Sequence, residues 1–279
     1  MKRRKTPHEE FGKCRIAVIG RAGQRVRGGG SAIDTTGEPT VVSQGLNTGN
    51  LEPSYDATAD SLAASDGSEV LVYLPKTDYD NGAIKGYLRG PHSSCSIVGP
   101  GCYDVAAYGE TLNGSGTASY INSTIAGYEA AATFIERTGT TDVPTSGPAS
   151  YTGDYSAMNY YVTVGDPVYN YVIHGEATLD VNFNTMTISG TISNREDQDS
   201  RIYKDITFGE SGISGGAFGG TATGGELDAS PSTTSNGTYS GLLTGDTAGE
   251  AVGSVYLERF DGTQDRFERG IFIAEQPVP

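Results

Sequence analysis

The residues that could do chemistry in this sequence are few, and their grouping favours holding a partner over transforming one. Cys95 and Cys102 lie close together in His92-Ser-Ser-Cys95-Ser-Ile-Val-Gly-Pro-Gly-Cys102. Gly99, Pro100 and Gly101 let that loop fold back on itself, so a local disulfide is the first reading, and it implies an oxidising compartment. A metal site is an alternative, although His92 alone leaves a tetrahedral site short of a ligand. Two separate thiols are the third. His174, just before Gly175, could ligate haem or a metal from the mouth of a β-barrel, or serve as a plain strand histidine. Tyr160, Tyr161, Tyr169 and Tyr171 crowd one region. Tyr joins a rigid apolar body to a hydroxyl, which suits both a contact surface and a packed interior. Arg195, Glu196, Asp197 and Asp199, followed by Arg201, read as a charged hairpin tip, either solvated or holding Ca²⁺. These tyrosines and tip residues form the candidate ligand-binding set. No Ser/His/Asp or Cys/His signature is present and no carboxylate pair stands out, so neither an enzyme nor a bound cofactor is expected.

The elements that must position these residues are strands. Residues 177–183 alternate Ala177, Leu179, Val181 and Phe183 with Thr178, Asp180 and Asn182. After a turn at Asn184-Thr185, Met186, Ile188, Gly190 and Ile192 alternate with Thr187, Ser189 and Thr191. This is a hairpin with one apolar face. Strands are also expected over 149–155, 159–164, 201–208, 213–223, 237–243, 250–259 and 267–275. With the hairpin's 175–183 and 186–192 that makes nine candidates, one of them outside the barrel. Short strands at this spacing without helices favour a barrel or sandwich. Gly215, Gly216, Gly219 and Gly220 suggest a bent barrel corner, and turns and bulges account for the 40 glycines in general. Upstream, Glu69-Val-Leu-Val-Tyr-Leu74 is a strand ended by Pro75, Asp78-Tyr-Asp-Asn-Gly82 a turn, and 82–89 the return strand. Residues 119–125 and 128–137 are further candidates, with Ala130-Ala-Ala132 leaving a short helix open. Val143-Pro-Thr-Ser-Gly-Pro148 is the best boundary in the chain. The expected division is a basic N-terminus and flexible tether over 1–66, a smaller strand-rich domain over 67–142 and a β-domain over 149–279.

Charge narrows the partners. The first 27 residues hold nine of the 19 Lys/Arg and two of the 34 Asp/Glu, leaving 10 basic against 32 acidic residues in the rest. A body that acidic repels phosphate backbones, so nucleic acid is not an expected partner. Met1-Lys-Arg-Arg-Lys5 resembles the start of a signal peptide, but Ile16-Ala-Val-Ile19 is too short for the apolar stretch that should follow. No stretch is long enough to span a membrane as a helix. Arg15-Ile-Ala-Val-Ile-Gly20-Arg-Ala-Gly23 imitates a nucleotide site but lacks G-x-G-x-x-G.

Four segments resemble a known family. Pro148-Ala-Ser-Tyr-Thr-Gly-Asp154 is similar to the first barrel strand of the transferrin-binding-protein-B-like surface lipoproteins of Gram-negative bacteria. Leu179-Asp-Val-Asn-Phe-Asn-Thr-Met-Thr-Ile-Ser-Gly-Thr-Ile192 resembles their L-x-x-D-F-x-x-x-T-x-S-G-x-I hairpin. Ile213-Ser-Gly-Gly-Ala-Phe-Gly-Gly-Thr-Ala222 resembles their I-x-G-x-x-F-S-G-T-A strand. Thr247-Ala-Gly-Glu-Ala-Val-Gly253 with Arg269-Gly-Ile-Phe-Ile273 resembles their closing pair. The resemblance keeps the motifs' order and implies an all-β chain: a C-terminal eight-stranded antiparallel barrel preceded by a strand-rich handle-like domain. It implies an extracytoplasmic module at the outer membrane or cell surface that captures an iron or haem carrier or another protein. The alternative is a structural or adhesive surface protein without a discrete ligand. Membrane attachment would run only through a lipid anchor. Cys14 follows Phe11-Gly-Lys13, which is not a lipobox, and Arg27 stands where the lipidated Cys would precede Gly28-Gly-Gly-Ser31. Residues 1–27 are therefore expected to stem from a wrong start or shifted frame, and the natural protein to be a lipoprotein.

Overall fold

The computed structural model describes residues 52–65, 70–90, 104–112, 114–124, 128–162, 169–226, 234–260 and 265–277. Seven strands come first: β1 (Glu52–Asp56), β2 (Ser61–Ser65), β3 (Val70–Pro75), β4 (Ile84–Arg89), β5 (Asp104–Glu110), β6 (Gly116–Thr124) and β7 (Tyr128–Glu136). They pair in chain order as one antiparallel meander. Two of them, β1 and β2, occupy the stretch expected to be tether, and Ala130–Ala132 lie in a strand, not a helix. The sheet curls: Tyr55 of β1 stacks on Tyr108 of β5 with ring centroids 4.5 Å apart. The Tyr55 and Tyr87 hydroxyls and Lys85 all donate to the Asp60 carboxylate, at 2.9, 3.1 and 3.2 Å. These hydrogen bonds fasten the β1–β2 hairpin over β4 and β5.

The remaining strands are β8 (Pro148–Val162), β9 (Tyr169–Asn182), β10 (Thr187–Asp197), β11 (Ile202–Tyr203), β12 (Ile206–Ser214), β13 (Ala217–Gly224), β14 (Asn236–Thr244), β15 (Glu250–Phe260) and β16 (Asp265–Glu275). The described parts of the 149–155 and 159–164 candidates lie in one long strand, β8. Eight strands close a barrel in the order β10-β12-β13-β14-β15-β16-β8-β9, and β9 returns to β10. The two-residue β11 pairs only with β10 and lies outside the closed ring. Closure abolishes free edges. Gly215 and Gly216, with φ of 56° and 79°, form the two-residue turn between β12 and β13. That double positive φ is the geometry a tight hairpin requires, so the expected continuous strand 213–223 is split there.

Alternation sorts the barrel's faces. Ile173, Ala177, Leu179 and Val181 of β9 are buried in the interior, while Glu176 and Asp180 are exposed. The interior is filled by rings. Phe208 stacks on Tyr239 at 4.4 Å and lies 5.9 Å from Phe272. Buried hydroxyls are satisfied: Tyr151 donates to the Ala248 carbonyl at 2.6 Å and Tyr239 to that of Gly209 at 2.7 Å. Several strand glycines exist for these rings. A Cβ on Gly253 or Gly241 would overlap Phe272 or Phe218, one on Gly270 would overlap Tyr155, and one on Gly220 would sit 2.9 Å from Tyr239 Cε1. Alternating small and large residues is how a narrow barrel fills its interior. Turns and bulges therefore explain only part of the glycine content.

The curled sheet packs on the barrel's outer wall. Ile84, Ala107 and Ile135 share an apolar cluster with Leu242, Val252, Ile271 and Ile273, and Val105 meets Met158 and Val172. Thr117 Oγ1 donates to the Gly253 carbonyl at 3.3 Å. We propose that residues 149–279 nonetheless fold on their own, because every barrel pairing lies within them. The expressed fragment is expected to melt cooperatively but below the full chain, since it exposes Leu242, Val252 and Ile271. Random-coil circular dichroism from that fragment would refute this.

Candidate functional site

The barrel's two rims differ. At one, connections are short: 183–186, 215–216 and 245–249. At the other lie the connections 163–168, 225–235 and 261–264, together with the β10–β11 tip. The candidate ligand-binding tyrosines and the charged-tip residues fall at this second rim. Tyr160 pairs with Asn170 and Tyr161 with Tyr169, the last rungs of the β8–β9 ladder. Backbone register alone places those three tyrosines.

Asp197 organises the tip. Its Oδ1 accepts from the backbone N–H of Asp199 at 2.9 Å and of Arg201 at 3.1 Å. Its Oδ2 accepts from Arg201 Nε at 2.7 Å and from the Tyr203 hydroxyl at 2.8 Å. Burial, then the Asp197 carboxylate, push the Tyr203 pKa up, so the hydroxyl stays a donor. Arg201 also pairs with Asp199 at 3.0 Å and lies flat over the half-buried Tyr171 ring at 3.8 Å. A guanidinium held at its edge by carboxylates and placed over an aromatic ring is fixed in one orientation. Glu196 and Asp199 remain exposed beside it.

Arg195 corrects the expectation of an exposed charged tip. It is 1% exposed and lies inside the barrel. Its guanidinium pairs with Glu268, donates from Nη1 to the Lys204 carbonyl at 2.6 Å, and sits 5.4 Å from the Tyr203 ring. Tyr155 donates to the same Glu268 carboxylate at 2.7 Å. Full burial raises the Tyr155 pKa well above its ordinary value. The cause of the inversion is local. Asn194 has a φ of 52°, and the β9–β10 register shifts between Ser193 and Glu196. One extra residue swaps the faces of everything beyond it, which turns Arg195 and Asp197 inward and Glu196 outward.

Below the tip, Tyr171, Arg201, Tyr203, Glu226, Phe267 and Glu268 line a small cleft of about 50 Å³. Sequence reasoning missed Glu226, Phe267 and Glu268. One signal was there to read: Glu268 shares parity with Gly270 and the buried Phe272, so a charge there had to face the interior and find a partner.

His174 does not open into the barrel mouth. It lies on the outer wall of β9, half-buried, opposite Ser156 of β8. Among the described residues no group of three or more His, Cys, Asp and Glu could hold a metal ion. Cys95 and Cys102 lie outside the described residues. The connection that carries them is bracketed by Arg89 and Asp104, which are register partners and an ion pair at 2.7 Å.

Residues 143–276 match the family model of the C-lobe and N-lobe β-barrels of transferrin-binding protein B. The fold is transferrin-binding protein B-like. A double mutant of that protein from Haemophilus parasuis Hp5 superposes with a TM-score of 0.51 at 17% identity, covering 90% of this chain and 47% of that one. The isotype 1 protein from serogroup B Neisseria meningitidis matches with a TM-score of 0.41 at 20% identity, over 81% of this chain and 41% of that one. The chain thus spans less than half the length of these two transferrin-binding proteins B. No curated protein sequence matches it. At such identities the likeness is one of fold: a closed eight-stranded barrel with a curled sheet on its wall.

Proposed function

We propose that this chain is an extracytoplasmic, surface-attached protein-binding module that captures a transferrin-type carrier protein through the long-connection rim of its barrel. The observation that supports it most is the coincidence of a transferrin-binding protein B-like fold with a pre-organised rim surface, the Arg201 guanidinium stacked on Tyr171 and braced by Asp197 and Asp199. Ligand pockets usually measure about 300–1,000 Å³, and the described rim cleft, at about 50 Å³, suits a protein contact better than an enclosed small ligand. Side chains fill the barrel, so a protein partner must use its rim and loops. Binding there needs no chemistry beyond contact and charge.

The test is capture of iron-loaded and iron-free transferrins by the immobilised full chain. Replacing Tyr160, Tyr169 and Tyr171 by Ser should weaken capture by roughly 30-fold, the equivalent of about 2 kcal/mol for a lost aromatic anchor, while the barrel still melts cooperatively. Joint loss of stability and binding would instead make these rings core. Failure of every transferrin to bind would remove the proposed partner.

A further inference from the structure

The loop between β3 and β4 is clasped to the barrel wall. A 3₁₀ turn over Thr77–Tyr79 and the bridge between Asn81 and Ile84 shape it, and Asp80 accepts from the Gly86 N–H at 2.8 Å. Asn81 Nδ2 reaches across to two barrel carbonyls, Tyr155 at 2.8 Å and Gly175 at 3.0 Å. The Ala83 N–H donates to Asp154 Oδ2 at 2.7 Å. Gly82 is pressed so closely to the Asp154 carboxylate that a Cβ would overlap it.

His174 sits at this clasp, one residue before the carbonyl that Asn81 grips. It shares the outward face with Val172, which is buried in the same sheet–barrel contact. Its Nδ1 is buried and has no hydrogen-bond partner. Asp80 of the loop acts on it electrostatically, Glu196 is its register partner on β10, and the register pair Asp154 of β8 and Glu176 of its own strand stands two residues along the same outward face. The other titratable side chains of the turn are Tyr79, Asp78 and its N-cap Lys76, the last two paired with each other. Of these carboxylates, Asp80 is occupied by Gly86, Asp154 by Ala83 and Glu176 by Asn194 Nδ2 at 2.8 Å.

We propose that His174 makes the seating of the curled sheet on the barrel pH-dependent: neutral His174 keeps the Asn81–Asp154 clasp closed, and the imidazolium loosens it. An imidazolium has two N–H donors, and the closed clasp offers Nδ1 no acceptor, so the charged form is penalised there. Burial accordingly lowers the His174 pKa, with Asp80 opposing in part. The sign follows. A released His174 titrates near 6.5. The lower pKa in the closed state means that the clasp holds fully above that value and weakens as pH falls below it.

Hydrogen exchange at the Ala83 amide, in the full chain and corrected for intrinsic rates, tests this. Between pH 7.5 and 5.5 its protection should fall by up to roughly tenfold, the linkage limit one unit below an ordinary histidine pKa. The His174→Gln variant should show no such fall. Protection that is constant or rises on acidification of the native chain, or a fall of equal size in His174→Gln, overturns the proposal. Should that variant not fold, Asn81→Ala supplies the check. It removes both carbonyl contacts, so Ala83 protection should already be low at pH 7.5 and insensitive to pH, and a retained full response overturns the proposal.

Discussion

Replacing Arg195 by Met should destabilise the protein by about 3–5 kcal/mol, the usual cost of breaking a buried ion pair by removing one partner. Arg195 is 1% exposed and Glu268 3% exposed. Without the guanidinium, the Glu268 carboxylate keeps, among the described residues, the Tyr155 hydroxyl as its hydrogen-bond donor inside a largely apolar interior. The Lys204 carbonyl also loses its donor. Methionine fills much of the same volume, so packing loss is small and the penalty is electrostatic. The double variant Arg195→Met/Glu268→Leu removes both charges and should recover most of the loss, as paired replacement of buried ions often does. Urea unfolding of the native chain and both variants decides it. A single variant within about 1 kcal/mol of native would show that the pair contributes little, and a double variant worse than the single would assign the loss to packing.

The second large effect concerns glycines that face the barrel interior. Gly270→Ala should cost about 2–3 kcal/mol, at the upper end of what overpacking a filled core costs. Its new methyl group would overlap the Tyr155 ring, which is buried and held by Glu268, so the ring has nowhere to retreat. Gly253→Ala should behave alike, since its methyl would overlap Phe272 and approach the Ser240 carbonyl oxygen to 2.6 Å. Gly212→Ala is the control. No atom lies within 4 Å of a Cβ there, so it should be neutral or slightly stabilising through reduced unfolded-state entropy. Melting temperatures of the three variants separate the explanations. Equal losses at all three positions would mean that strand propensity, not ring contact, sets the cost.

The barrel was legible in the sequence because a half-buried strand must alternate, and residues 177–183 and 186–192 do so on either side of one turn. The rim was legible in part for the same reason: Tyr171, Asp197 and Asp199 stand where the pattern ends and turns begin. Arg195 was misread because a single residue with positive φ, Asn194, reverses the faces beyond it. Nothing in the residue types announces that bulge, since Asn suits turns and bulges alike. The first two strands were taken for tether because Glu52–Asp56 and Ser61–Ser65 are short and sit in a stretch rich in Gly, Ser, Thr and Asp with little periodicity. What orders them includes contact with residues far along the chain, Tyr55 on Tyr108 and both Tyr87 and Lys85 on Asp60. Contacts of that range leave no local trace.

Within the barrel, every neighbouring pair of ring strands but one is also a neighbouring pair in chain order, the two-residue β11 aside. The exception is β8 with β16, which pairs Thr152 with Glu275 and Val162 with Asp265. Hairpin pairings close small loops and form early, whereas this one must bring together segments more than 100 residues apart, and its entropy cost comes before any reward. The seam between β8 and β16 is therefore the step that should limit the folding rate. A chain that emerges N-terminus first keeps two open strand edges until β16 arrives. During that interval the nascent barrel is a template for pairing with other chains, so its safety in the cell rests on how soon the last strand reaches the first.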